Sequence, residues 1–299
     1  VESLDLWADW RAGIEELDSD DVVIIGSSRG HFDINIHHWK QLTGNRPVML
    51  AYPGSSPYHP FEDIVDNSSF SGILVVSVSP GLFFTLSDSW GAGRGKDFVD
   101  HYYNRTYAQR LNSFVFRFID PYLAYTDPSI SLEGLIDRIP IPDRDSVWHP
   151  EIWPPMVSMD IYRNIRMIPA MEVDTVLQRR QTEIWDRPVW KNRSADSINV
   201  ILEHYVSHAR KFKARGGRIV FLRPPVTGQY LKHEPLMYPR EHYWECLLEG
   251  SDAPGFHFMD NSETRRMVPP EWSHLNRKDA DRYTELVIDF LKDENLIKN

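Results

Sequence analysis

Asp21-Val22-Val23-Ile24-Ile25-Gly26-Ser27-Ser28-Arg29-Gly30 is the stretch whose reading decides the fold. Consecutive β-branched apolar residues from Val22 to Ile25 read as a strand buried on both faces, as in a parallel sheet covered by helices. The run stops at Gly26, two hydroxyls, an Arg and a second Gly, the composition of a tight turn between a strand and a helix. Open α/β sheets keep their reacting groups beyond the carboxyl ends of the strands, so Ser28 is a candidate nucleophile. A turn that needs small residues only to let the next helix pack explains the same letters equally well.

Working outward, the same unit recurs. Pro47 to Tyr52 reads as a second strand and empties into Pro53-Gly54-Ser55-Ser56-Pro57; Gly72 to Ser79 reads as a third and stops at Pro80-Gly81. Helices are predicted over Leu4 to Leu17, over Asp33 to Leu42 with a stop at Thr43-Gly44, and from Pro57 or His59 to Val65. Repeated strand, turn and helix units predict a parallel sheet with right-handed crossovers. The pattern resumes with a helix over Ala195 to Arg215, closed by Gly216-Gly217, and a fourth strand over Arg218 to Leu222 that leads into Arg223. A helix over Pro239 to Leu248, a short fifth strand over Gly255 to Met259 and a last helix over Arg277 to Asp293 complete it.

Residues 85–194 break this rhythm. They hold an aromatic helix (Phe98 to Tyr122), a Pro-rich stretch (Ile139 to Pro155) and a polar helix (Met171 to Trp185), with no strand that reads as buried. The expectation is one α/β domain over 1–299 with a large helical insertion between its third and fourth strands, a cap or lid at the carboxyl edge.

Composition narrows the function classes. The chain of 299 residues carries 33 Lys and Arg against 43 Asp and Glu, a formal charge of -10, which argues against nucleic acid or an anionic membrane surface as the main partner. Cys246 is the only cysteine, which excludes an intrachain disulfide and a thiolate zinc site. No apolar run is long enough to span a bilayer, and the start at Val1 without Met leads to the expectation of a removed leader or membrane tether. That favours a periplasmic or other extracytoplasmic setting, with the cytoplasm as the alternative.

If the five strands lie parallel, their carboxyl ends gather Ser27 and Ser28, Gly54 and Ser55, Ser79 and Pro80, Arg223, and the loop from Asp260 to Asn276. That loop contains Glu271-Trp272-Ser273-His274 just before the last helix, a base and an orienting acid suited to a serine. A capping histidine and a solvated glutamate would read the same in isolation; the order of serine, glycine and acid-x-x-His along the chain favours the catalytic reading. Arg29 and Arg223 suit bidentate contact with an anionic substrate group, or an internal ion pair. His31, His37 and His38 cluster without carboxylates at ligand spacing, so no metal is expected there, and no cofactor is implied.

This order resembles that of the SGNH hydrolases, the GDSL esterase family. In that family a Gly-Asp-Ser block follows the first strand, a Gly the second, an Asn the third, and Asp-x-x-His precedes the last helix. The resemblance covers about 1–84 and 195–299 and implies a doubly wound, flavodoxin-like three-layer sandwich with a five-stranded parallel sheet of order 2-1-3-4-5. It implies Ser28 as nucleophile, His274 as base and Glu271 as the acid that orients it. The N–H groups of Ser28 and Gly54 would hold the oxyanion, with the Ser79 hydroxyl as a partial substitute for the missing Asn. Arg29, Ser55 and Arg223 would contact the substrate, an acyl ester of a carbohydrate or similar small molecule.

Three positions depart from the family pattern. Ser27 stands where the family has Asp, Glu271 replaces Asp, and Ser77-Val78-Ser79-Pro80 replaces Gly-x-Asn. One oxyanion donor is worth about 10² to 10³ in rate. An alternative follows from that loss: a non-catalytic binding protein in which Gly26-Ser27-Ser28 and Gly54-Ser55-Ser56 are anion-binding turns.

Overall fold

Valine and isoleucine at 22–25 leave the first strand without a polar face, and the chain accordingly sets it inside a sheet. The computed structural model describes residues 3–119, 154–186 and 195–298, with the isolated positions 122, 123, 132 and 136. In chain order, α1 (Leu4–Gly13) leads to β1 (Val22–Ile25), α2 (Ser28–Asp33), α3 (Ile36–Thr43), β2 (Val48–Met49), α4 (Tyr58–Asn67), β3 (Ile73–Ser77) and α5 (Pro80–Phe83). The insertion contributes α6 (Trp90–Asn104), α7 (Tyr107–Ile119), β4 (Val157–Met159), β5 (Ile165–Met167), α8 (Pro169–Val173) and α9 (Thr175–Trp185). Then come α10 (Ala195–Ala214), β6 (Arg218–Arg223), α11 (Gly228–Met237), α12 (Arg240–Ser251), β7 (Gly255–His257) and α13 (Arg277–Asp293).

The main sheet is parallel, with five strands in the order β2-β1-β3-β6-β7, and helices surround it. Side chains alternate across it with the period of the pleat. Val23, Ile25, Leu74, Val76, Ile219 and Phe221 face a core built with α1, α4, α10 and α12. Val22, Ile24, Ile73, Val75, Val220 and Leu222 face a second core with Trp39 of α3 and Tyr283, Val287 and Leu291 of α13. In open sheets of this kind the crevice lies at the carboxyl ends, where the order reverses around the first strand.

Two local features bear directly on that edge. The one helix predicted over Asp33 to Leu42 is two: α2 begins at Ser28, after Ser27 in an extended backbone, and ends at Asp33, and α3 begins at Ile36, where Asn35 Oδ1 caps it by accepting from the N–H groups of His37 and His38. Helix α2 lies so close to β3 that a Cβ at Gly30 would stand 2.5 Å from Ser77 Cβ, which explains the second glycine of the opening stretch.

The insertion departs from the predicted pattern. The single aromatic helix is two, because Thr106-Tyr107-Ala108-Gln109 forms a capping box: Thr106 N–H donates to Gln109 Oε1 (2.7 Å) and Gln109 N–H to Thr106 Oγ1 (3.3 Å). The insertion also contains the antiparallel pair β4 and β5, which corrects the purely helical expectation. Their turn is built on Asp160, whose Oδ1 accepts from Tyr162 N–H (2.8 Å) and Asn164 N–H (3.1 Å). The hairpin is anchored by the fully buried Arg163, which donates to the carbonyls of Met49 and Ala51 just past β2. In return, His31 Nε2 of α2 is hydrogen-bonded to the Arg163 carbonyl (2.6 Å). The Pro-rich stretch from Ile139 lies outside the described residues as far as 153.

Candidate active site

The loop before α13 is shaped by a residue in the left-handed region. Trp272 has φ 77°, held by its N–H on the Pro269 carbonyl (3.1 Å) and by Thr227 N–H on its own carbonyl (2.9 Å). Such a conformation costs about 1–3 kcal/mol in a non-glycine residue and persists only where surrounding bonds impose it. The turn folds Glu271 back onto His274. Glu271 Oε1 accepts from both the backbone N–H of His274 (2.6 Å) and its Nδ1–H (2.8 Å). Glu271 Oε2 accepts from Trp185 Nε1–H (2.5 Å), at the end of α9. The three hydrogen-bond partners of this carboxylate among the described residues are donors, the environment of an acceptor, and the bond to Nδ1 fits the tautomer of His274 that carries its proton there.

Nε2 of His274 is thereby left with its lone pair. It is buried and meets no hydrogen-bond partner among the described residues. The ring stacks on Phe32 of α2 at 4.2 Å between centroids. Ser28 lies four residues before Phe32 on that helix, and residues at this spacing share a helix face. Ser28 is half-buried and its N–H, at the first helical position, has no acceptor within the helix. Ser28 Oγ and His274 Nε2 do not hydrogen-bond to each other.

Further bonds tie α2 to this loop. Asp33 Oδ1 accepts from Leu275 N–H (2.8 Å), and Arg29 Nε donates to Ser273 Oγ (3.2 Å). Asp33 is wholly buried with Oδ2 unpartnered; burial above all raises its pKa well above the usual carboxylate range.

The other predicted residues are distributed differently. Gly54 adopts φ 70°, and a Cβ there would lie 3.3 Å from Arg94 Nη1 and 3.4 Å from the Trp90 ring, so α6 of the insertion covers it. The Ser55 hydroxyl donates to the Tyr52 carbonyl (3.0 Å), a turn bond that uses its proton. Ser79 Oγ accepts from Ser27 Oγ (2.6 Å), which leaves its own proton available as a donor and gives Ser27 a role in tying the first turn to the third.

Arg29 and Arg223 turn inward to one carboxylate in place of the crevice. Glu234 Oε1 lies 2.9 Å from Arg29 Nη2, and Glu234 Oε2 accepts from Arg29 Nη1 (3.2 Å) and from Arg223 Nη2. All three are buried, and the Arg29 guanidinium lies 4.6 Å over the Tyr230 ring. Burial alone would raise the Glu234 pKa, but Arg223 and Arg29 outweigh it and hold it below the ordinary value.

Sequence reasoning missed Phe32, Arg94, Trp185 and Glu234. Trp185 meets Glu271 across 86 residues of chain, and Glu234 meets Arg29 across 205 and Arg223 across 11, spacings that no helix, strand or turn pattern links. Arg94 makes one polar contact among the described residues, donating to Tyr52 Oη (3.3 Å), which leaves a cation beside Gly54. His37 pairs with Asp160 and His38 with Glu285 (2.9 Å), so these imidazoles do not converge.

A scan of protein-family models finds no match to this chain, and a search of curated proteins finds none either.

Proposed function

We propose that the chain is a serine-dependent ester hydrolase or O-acyltransferase of the SGNH type, on a doubly wound, flavodoxin-like frame. One observation carries the reading: a buried Glu271–His274 pair just before the last helix, with its imidazole stacked on Phe32 one turn below Ser28. In the proposed reaction Ser28 Oγ attacks an ester carbonyl and its proton passes to His274 Nε2. The carbonyl oxygen becomes an oxyanion held by the N–H groups of Ser28 and Gly54, with the Ser79 hydroxyl as a further donor. The intermediate collapses, the leaving alcohol takes the proton from His274, and Ser28 keeps the acyl group. Water, or the hydroxyl of an acceptor, then attacks the acyl-enzyme with His274 again as base. A carbohydrate acyl ester, acetyl above all, is the proposed substrate class, and an extracytoplasmic setting accompanies it.

Fluorophosphonate labelling is the direct test. The expected result is covalent modification at Ser28, lost in Ser28→Ala; no labelling under conditions in which a control esterase reacts overturns the reading. A second reading, a binding or accessory protein using the same crevice, has one observation in its favour: the missing hydrogen bond between Ser28 Oγ and His274 Nε2.

Trp185 ties the insertion to the proposed catalysis. Trp185→Phe keeps an aromatic ring near His274 but removes the donor from Glu271 Oε2. A hydrogen bond to a charged group is worth about 1.5–3 kcal/mol. Turnover of p-nitrophenyl acetate should fall about tenfold, and the melting temperature should drop by roughly 5 °C because buried Glu271 Oε2 loses that donor, as steady-state kinetics and thermal unfolding would show.

A further inference from the structure

Outside the candidate active site, on the face of the sheet covered by α4 and α10, three side chains converge. Glu62 of α4 and His204 and His208 of α10 each offer a ligand atom, and these atoms lie within 4.8 Å of one another. His204 and His208 stand four residues apart, hence on one helix face, with ring centroids 4.2 Å apart. Each ring is held from behind. His208 Nδ1–H donates to the His204 carbonyl (2.7 Å), which leaves Nε2 with the lone pair. His204 stacks on Tyr58 at 3.7 Å and 10°, while its Nε2 is shielded from solvent and meets no partner in hydrogen-bonding geometry. An imidazole whose second nitrogen is fixed by a backbone carbonyl has the orientation of a metal ligand.

We propose that Glu62, His204 and His208 bind a single divalent transition-metal ion of the zinc class, which clips α4 to α10. Two imidazoles and a carboxylate are a zinc donor set that leaves a coordination position for water. Donors around zinc stand about 3.3 Å apart, given bonds of about 2.0–2.2 Å. Ion binding therefore requires the three donors, now within 4.8 Å of one another, to close by side-chain rotation, with the half-exposed Glu62 the freest of them to turn. Nearby charge also suits a cation: Asp66 Oδ2 lies 3.7 Å from His208 Nε2, and Lys211 engages only its other oxygen. His59 Nδ1, 3.2 Å from Glu62 Oε2, flanks the site. The proposal is independent of the ester-transfer reading.

The test uses the untagged full chain, stripped with a chelator and titrated with zinc chloride by calorimetry, and with cobalt chloride by visible absorption. One zinc per chain, a rise in melting temperature, and cobalt bands of a low-coordinate nitrogen and oxygen site are expected. Glu62→Gln, at a position too exposed to threaten the fold, should weaken zinc at least about tenfold, and His204→Ala should abolish stoichiometric binding. His38→Ala, whose partner is Glu285, should leave it unchanged. Failure of the stripped protein to bind one zinc, or binding equally tight in Glu62→Gln and His204→Ala, overturns the proposal.

Discussion

Replacing His274 by alanine is expected to lower the turnover of p-nitrophenyl acetate by about 10⁴-fold or more while the protein stays folded. The two effects separate because of how the imidazole is held. A buried polar atom without a partner costs about 1–3 kcal/mol, so Nε2 adds nothing to the fold. Here Nδ1 is fixed by Glu271 and Nε2 is left without a partner among the described residues. Alanine removes that unpaired atom along with the stacking on Phe32 and the Nδ1–H bond to Glu271, so gains and losses in stability oppose each other, and the Glu271 carboxylate keeps the backbone N–H of residue 274 and Trp185 Nε1–H as donors. The loss in rate has no such offset, because in the proposed reaction His274 is the base that takes the Ser28 proton. Measured together, kcat/KM and the melting temperature check this; a variant that keeps more than about a tenth of the rate would put the base elsewhere.

How much of this was legible in the sequence depended on the range of the interactions. β1 and β3 stand out as runs without a polar face, and α13 has the predicted bounds, Arg277 to Asp293, because its apolar residues recur at helical spacing; the structure adds the cap, Asn276 Oδ1 accepting from Asp279 N–H. Glu271 and His274 were legible for the same reason: three residues apart, they meet through a local turn. The hairpin of β4 and β5 was not, because its strands are only three residues each and its anchor, Arg163, is stabilised by carbonyls more than a hundred residues away. Arg29 and Arg223 read equally well as ligand contacts or ion-pair partners. Only tertiary structure could decide, by bringing Glu234 between them on α11, a helix whose internal Pro235 runs against its local propensity.

That buried carboxylate supports the second large effect. Glu234→Gln keeps the shape of the side chain but leaves two buried guanidinium groups without a counter-charge, and breaking a buried ion pair from one side costs about 3–5 kcal/mol. For a chain of this size the melting temperature should fall by roughly 10 °C. The pH dependence gives the mechanism its own signature. The folded-state pKa of Glu234 is depressed, so its contribution is complete above the ordinary glutamate value near 4.5 and is lost as the pH falls through the lower folded value. Glu234→Gln should therefore lose most stability near neutral pH and converge with the parent protein in acid. Adding Arg29→Met removes one unpaired cation and should recover part of the loss. Thermal unfolding of the parent, single and double variants between pH 3 and pH 7 decides the matter; a Glu234→Gln protein as stable as its parent at neutral pH would mean that the two arginines find other partners.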